Sequence, residues 1–287
     1  MKKITKFWLI VATLLIFSGS ILFTLSMSLI DWDFSKLGTV EYETNSYEIN
    51  EDFQSISIDT ITTDIIFKKS DDKVKVECLE ISKLKHTVEV IEGKLTISYV
   101  DSRDPLDNIN IFTKTPKITI YLLEKDYDSL KIDNTTGDIA IEHSFKFNTI
   151  DIELTTGDIL LNSTTTNTIN IEVTTGDVTL KNTIGEALFI KGSTSEIVLN
   201  NTILSKEIKI NNTTGDVMLN ECDSPKIYIK TTTGDISGTL LSDKDFTTNS
   251  TTGDIIVPDS SSSETCELAT TTGDIHIRIK QWHTPTT

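Results

Sequence analysis

Little in this chain invites redox, nucleophilic or nucleic-acid chemistry. Three cysteines, Cys78, Cys222 and Cys266, are scattered over 287 residues. They are too few for a disulfide framework and form no CxxC pair, so they read as small semi-buried strand residues. Basic residues are scarce, 26 against 43 acidic ones, giving a net charge of −17. No basic stripe exists to neutralise phosphates, which argues against a nucleic-acid partner. His86, His143, His276 and His283 show no metal-ligand spacing and no nearby cysteine. GxSxG, HExxH and phosphate-loop patterns are missing. Hydrophobic residues make up 37% of the chain, little for a thick globular core but suited to a thin repeat structure. Beyond the first thirty residues no helical periodicity is found.

What is present begins with Lys2, Lys3 and Lys6, followed by the uncharged run Phe7–Ile30. At 1.5 Å per residue its 24 residues extend about 36 Å, enough to cross a hydrocarbon layer of about 30 Å. Lysines before the run and none shortly after it place the N-terminus in the cytoplasm and residues 31–287 outside. A cleaved signal peptide is the competing reading, but its apolar region is usually about 7–15 residues, which favours an uncleaved single-pass membrane anchor. No cysteine lies near the run, so lipoprotein attachment is excluded. Trp32 and Phe34 suit an interfacial position at the start of an acidic stalk.

The remainder is organised by one phrase, Thr-Thr-Gly-Asp followed by Ile or Val. Its glycines are Gly137, Gly157, Gly176, Gly215, Gly234, Gly253 and Gly273, separated by 20, 19, 39, 19, 19 and 20 residues. The long gap holds a degraded copy, Ser195-Glu196-Ile197. Such a period signals stacked repeats. Seven and five residues before each glycine stand apolar pairs such as Ile150/Ile152, and two and four after it pairs such as Ile159/Leu161. Residues two apart share one face of a strand, so each repeat should carry two short inward-facing strands joined by the glycine turn. One apolar residue in the return segment, Phe145, Ile184, Ile203, Cys222 or Leu241, should close a third side. An antiparallel meander also gives two strands per 20 residues, but would not need one turn type eight times in register.

Ile56–Phe67 echoes the repeat without its glycine, as a founding coil. Residues 69–129 break the period. Lys73–Leu79 and Lys117–Leu123 alternate as strands, and Thr87–Ile91 and Lys94–Tyr99 flank Glu92-Gly93 as a hairpin. This block reads as an antiparallel cap over the end of the stack. At the other end, the apolar-basic alternation of Asp274–Lys280 suits a blunted edge strand, with Trp282 plugging the core.

The expected fold is therefore all-β, a parallel β-solenoid of about eight coils with an N-terminal antiparallel cap and an N-terminal transmembrane helix. Its plan is a cytoplasmic tail (1–6), the anchor (7–30), a stalk (31–52), a first coil and cap (53–129), the repeat solenoid (130–280) and a C-terminal tail (281–287).

Asp138, Asp158, Asp177, Glu196, Asp216, Asp235, Asp254 and Asp274 should line one edge of the stack. Carboxylates about 5 Å apart repel by roughly 1 kcal/mol even in water. A Ca²⁺ ion would relieve this; alternatively each acid bonds the amides of its own turn, and this simpler account leaves no metal or cofactor to be assigned. Parallel β-helices also carry polysaccharide-cleaving enzymes with paired carboxylates. A catalytic site should break the repeat at one place, whereas these acids recur evenly, so no catalytic residue is assigned. Adjacent threonines at turns do not form the regular face that ice binding needs.

The Thr-Thr-Gly-Asp-Ile units, the Ile56–Phe67 echo and the strand leading into the repeats resemble the bacterial "putative adhesin" β-strand repeat family, which includes LiaG-like envelope proteins of Gram-positive bacteria. The resemblance covers about residues 50–280. It implies a membrane-tethered extracytoplasmic β-solenoid linked to adhesion or the cell-envelope stress response, with no catalytic residues to carry over. The expected function is a non-enzymatic surface module meeting cell-wall polymer, cationic peptide or an envelope protein. A carbohydrate-active β-helix enzyme and a sensory ectodomain acting on a membrane partner are the rivals.

Overall fold

The computed structural model describes residues 3–29, 31–33, 41–102 and 114–280. The chain divides into two units, residues 1–42 with 103–114, and residues 43–102 with 115–287. Phe34, most of the polar loop at 101–108, and Trp282 lie outside the described residues.

In the first unit, α1 (Lys3–Leu29) is continuous and begins among the lysines. Its segment Ile4–Leu29 is long and apolar enough to cross a membrane, a property that signal sequences share.

Among the described residues every other regular element is a strand. Before the glycine repeats come β1 (Tyr42–Ile49), β2 (Ser55–Thr62), β3 (Asp64–Lys69), β4 (Val74–Ile81), β5 (Leu84–Ile91), β6 (Lys94–Asp101) and β7 (Lys117–Leu122). The first repeats hold β8 (Asp126–Thr136), β9 (Ile139–Ile141), β10 (Lys146–Thr156), β11 (Ile159–Asn162) and β12 (Thr165–Thr175). Then follow β13 (Val178–Thr194), β14 (Ile197–Asn211), β15 (Val217–Cys222), β16 (Lys226–Lys230) and β17 (Ile236–Leu240). The last are β18 (Asp245–Thr252), β19 (Ile255–Ile256), β20 (Thr265–Thr272) and β21 (Ile275–Ile279).

Neighbouring repeats pair in parallel with like residues side by side. Ile150 faces Leu130 on β8 and Ile169 on β12, and Ile159 faces Ile139 and Val178. The arrangement is all-β and solenoid-like. Strands β2 and β3 pair with β8 and β9 on one side, and with β6 and β7, also parallel, on the other. Only β4–β5, β5–β6 and β4–β7 are described as antiparallel, and β1 joins at β4. The β5–β6 turn puts Glu92 and Gly93 at positive φ, the hairpin geometry that Gly favours.

The order at the far end departs from the sequence. β20 and β21 pair with β16 and β17 on one side and with β18 and β19 on the other. The final repeat thus lies one place in, and β18–β19 form the outermost layer. The expectation that Asp274–Lys280 is a blunted edge is overturned for its first half: β19 covers Ile275 and His276, whereas Ile277–Ile279 pair with β17 alone among the described residues. The exposed end belongs to Ile255, 42% accessible, whose counterparts from Ile139 to Ile275 are buried. A matching inversion occurs at the cap, where β2–β3, first in sequence, sit inside β6–β7.

Seven repeats turn a sharp glycine corner, and four repeats turn a second, left-handed one. At the first, Gly157 has φ +140°, and a Cβ there would run into the Gly137 carbonyl oxygen of the layer below. The phrase therefore needs glycine for both conformation and space. The second corner uses left-handed Ser163, Asn182, Asn201 and Glu221. Asparagine tolerates this conformation through local hydrogen bonding, and here Asn201 Nδ2 donates to Asn182 Oδ1 at 3.0 Å. Strands β13 and β14 run straight through these corners, so the strands are longer than the apolar pairs suggest.

Between the strands lie columns of Ile, Leu and Val with almost no solvent contact. Each such side chain contributes about 1.5–3 kcal/mol by burial. The third side differs from expectation. Phe145 and Cys222 point inward, but Ile184 and Ile203 are 59% and 41% exposed, and the buried places beside them belong to Thr183 and Thr202. Those positions follow the left-handed corner, which shifts the inward phase by one residue. A polar set also fills inward positions. Asn134 Nδ2 donates to the Thr63 carbonyl at 3.0 Å, and Asn212 Nδ2 to that of Ser195 at 2.8 Å.

Candidate interaction surface

The acidic residues form the expected column, exposed at the first corner. The amides of Asp158, Asp177 and Glu196 donate to Oδ1 of Asp138, Asp158 and Asp177 at 2.9, 2.8 and 3.0 Å. Asp235 donates to Asp216 at 2.8 Å, Asp274 to Asp235 at 2.7 Å and Asp254 to Asp274 at 2.8 Å. Asp138 extends the line to Asp64 of the founding repeat at 3.1 Å. Each bond therefore joins two layers, where the simpler expectation had each acid serving its own turn. Glu196 is one methylene longer, and among the described residues no bond from the Asp216 amide reaches it. Apart from Glu196 and the outermost Asp254, each acid of the column accepts a backbone N–H that offsets part of the mutual repulsion.

One buried cluster was missed from the sequence. Cys78, Glu80 and His86 bring possible ligand atoms within 4.8 Å of one another. Cys78 and Glu80 share the inward face of β4, and a two-residue turn returns His86 on β5 beside them. The expectation that no cysteine stands near a histidine therefore fails at His86. Glu80 Oε2 accepts from the His86 backbone N–H at 2.6 Å and lies 2.8 Å from Nδ1, while Oε1 accepts from Asn45 at 2.6 Å. His86 Nε2 is 3.0 Å from Thr60 Oγ1. Burial pushes the Glu80 carboxyl up, but the His86 ring, the Asn45 amide and the His86 N–H together hold it below its ordinary range. Burial raises the Cys78 thiol to about 12. Glu80, His86, Asn45 and Thr60 form a hydrogen-bonded chain, beside which the Cys78 thiol lies without a bond of its own among the described residues.

Larger hollows of about 560 and 410 Å³ lie between β1 and β5 and between β16, β18 and β20, but the one of the three that gathers most acidic and basic side chains, with an aromatic ring among them, lies on the outward face of β10, β12, β13 and β14. A groove of about 300 Å³ is lined there by Asp151, Glu153, Asn170, Glu172, Phe189, Lys191, Lys209 and Asn211. Register makes two columns of them, which continue past the groove to Tyr228 and Lys230 on β16. In one, Asp151, Asn170, Phe189, Lys209 and Tyr228 stand side by side across five strands. In the other, Glu153, Glu172, Lys191, Asn211 and Lys230 do the same. The face thus passes from acidic to basic along the stack. Lys191 Nζ pairs with Glu172 at 2.5 Å, Asn170 donates to Asp151 at 2.6 Å, and Lys209 Nζ lies 5.7 Å from the Tyr228 ring centre. Sequence reasoning overlooked this face because its side chains alternate with the core columns and carry no motif.

The Toastrack DUF4097 family model matches residues 53–223 and again 205–284. The chain belongs to this family. Among solved structures, a protein from Parabacteroides distasonis ATCC 8503 named a "putative lipid binding protein" is similar over 84% of this chain and 98% of its own, with 15% identity and a TM-score of 0.53. A "putative adhesin" from Bacteroides fragilis NCTC 9343 is similar over 83% and 97%, with 18% identity and a TM-score of 0.49. A search of curated proteins found no match. The Toastrack match agrees with the resemblance drawn from the repeats, and at these identities the first structural likeness speaks for the fold alone.

Proposed function

We propose that this Toastrack chain is a membrane-tethered, extracytoplasmic interaction module of the cell envelope that performs no catalysis of its own. The groove carries the reading: four neighbouring repeats place acidic, aromatic and basic side chains in register on one solvent-facing sheet. The apolar helix α1 supports tethering, with the repeat unit outside. The finer architecture, about eight coils in a parallel β-solenoid, is supported by the in-register pairing of successive repeats. The acids of the corner column act as connectors between layers on this reading, and the sheet face meets the partner.

The test is a binding panel on the full chain in nanodiscs, offering isolated cell-wall polymer, a cationic peptide and solubilised envelope proteins. Saturable binding of at least one is expected, without turnover of the polymer. Binding of none, or release of soluble sugar from the polymer, overturns the proposal. Protease accessibility on intact cells tests the orientation, with the repeat unit digested from outside.

A further inference from the structure

We propose that the row Phe189–Lys209–Tyr228 binds an acidic polysaccharide, a β-linked strand bearing carboxylates on some of its sugars and hydroxyls on all. The proposal rests on the interaction-module reading and names the ligand of that groove, continued along the column to Tyr228 at the edge of the neighbouring hollow.

Two aromatic rings stand in one column with a single lysine between them. Strands lie about 4.8 Å apart, so the rings repeat at about 9.6 Å along the stack. A β-linked glycan presents the same sugar face at every second residue, and apolar sugar faces stack on aromatic rings. A strand lying along the stack could therefore seat alternate sugars on Phe189 and Tyr228, with the sugar between them over Lys209. Among the described residues, Lys209 and Lys230 have no carboxylate within ion-pair distance, although the chain carries a net charge of −17. Lys209, whose Nζ lies 5.7 Å from the Tyr228 ring centre, and Lys230, two residues beyond Tyr228 on β16, offer ammonium groups of the right charge for a sugar carboxylate, and Glu267, which flanks Tyr228 on β20, bounds the site at its far end.

The other half of the groove narrows the class. Asp151 and Glu153 would repel a polymer with a charge on every unit, such as a polyphosphate. They can accept hydrogen bonds from sugar hydroxyls. A glycan with charge on alternate sugars satisfies both halves.

The experiment uses the full chain in nanodiscs and calorimetric titration with hyaluronate oligosaccharides, a β-linked polymer with a carboxylate on every second sugar. Chitin hexamer and inorganic polyphosphate are the comparison ligands. Hyaluronate should bind more tightly than either. Lys209→Glu should weaken it at least tenfold, and so should Phe189→Ala with Tyr228→Ala, without lowering the melting temperature of the Lys209→Glu protein. Equal binding of chitin, tighter binding of polyphosphate, or binding indifferent to Lys209→Glu overturns the proposal. If hyaluronate fails while cell-wall polymer, cationic peptide or an envelope protein still binds, only this ligand assignment falls. If nothing in either panel binds, the interaction reading falls with it.

Discussion

The backbone N–H of Asp177 donates to Oδ1 of Asp158 at 2.8 Å, so an acid of one repeat holds the amide of the next. The bond is exposed and needs an acceptor oxygen, which an amide side chain also supplies. Asp158→Asn should leave stability nearly unchanged, whereas Asp158→Ala should cost about 1 kcal/mol. Urea denaturation followed by circular dichroism on the full chain in detergent distinguishes the two.

Gly157→Ala should be the harsher change at the same corner. The residue has φ +140°, and the added methyl would meet the Gly137 carbonyl. A loss of at least about 2 kcal/mol is expected from strained backbone and lost contact together. Gly19→Ala, with open space around it, is the control and should not move the urea midpoint.

Lys244 is 0% exposed, and its ammonium meets Asp223 Oδ1 at 2.6 Å, Ser242 Oγ at 2.6 Å and Glu264 Oε2. It fastens the connections entering and leaving β18–β19 to the turn before β16. Lys244→Met would leave two carboxylates facing each other without their cation; because Asp223 and Glu264 are 26% and 37% exposed, the cost should fall below the range of about 3–5 kcal/mol for a fully buried pair. Hydrogen exchange should show protection lost first in 245–256, with β10–β14 unaffected.

The Glu80 carboxyl titrates below its ordinary value of 4.5. A carboxylate held ionised in the folded state contributes stability above its unfolded pKa, and that contribution is lost as pH falls through the lower folded value. Glu80→Gln should therefore destabilise the protein at pH 7, and the gap to the parent should shrink below about pH 4.5. Urea midpoints measured between about pH 3 and 7 report it, and a gap that widens towards acid would contradict it.

Cys78, Cys222 and Cys266 are free and buried, with burial raising their thiols to about 12, about 11 and about 12. Thiolate is the reactive species. At pH 8 a thiol reagent should label none of the three in the folded protein and all three in denaturant.

The inward columns were legible because Ile, Leu and Val recur at fixed offsets from a glycine. The acidic column followed from the same spacing, although its bonds cross between layers, a distance that one repeat alone does not reveal. The second corner was harder. Ser163, Asn182, Asn201 and Glu221 share a conformation without sharing an identity, and the phase slip they cause sent Ile184 and Ile203 outward. The Cys78–Glu80–His86 cluster depends on a tight β4–β5 turn outside the period. The groove depends on register among residues that differ in every repeat: Asp151, Asn170, Phe189 and Lys209 have only position in common.

The inverted order of the last two repeats has a consequence for how the chain is completed. A protein emerging from its N-terminus can add β8 through β17 layer by layer, each on the one before. β18–β19 cannot continue that growth, because the layer they pair with is made of residues 265–279, not yet delivered. Arrival of residues 265–279 therefore docks two layers in one step, and a chain cut short before Thr265 forfeits both.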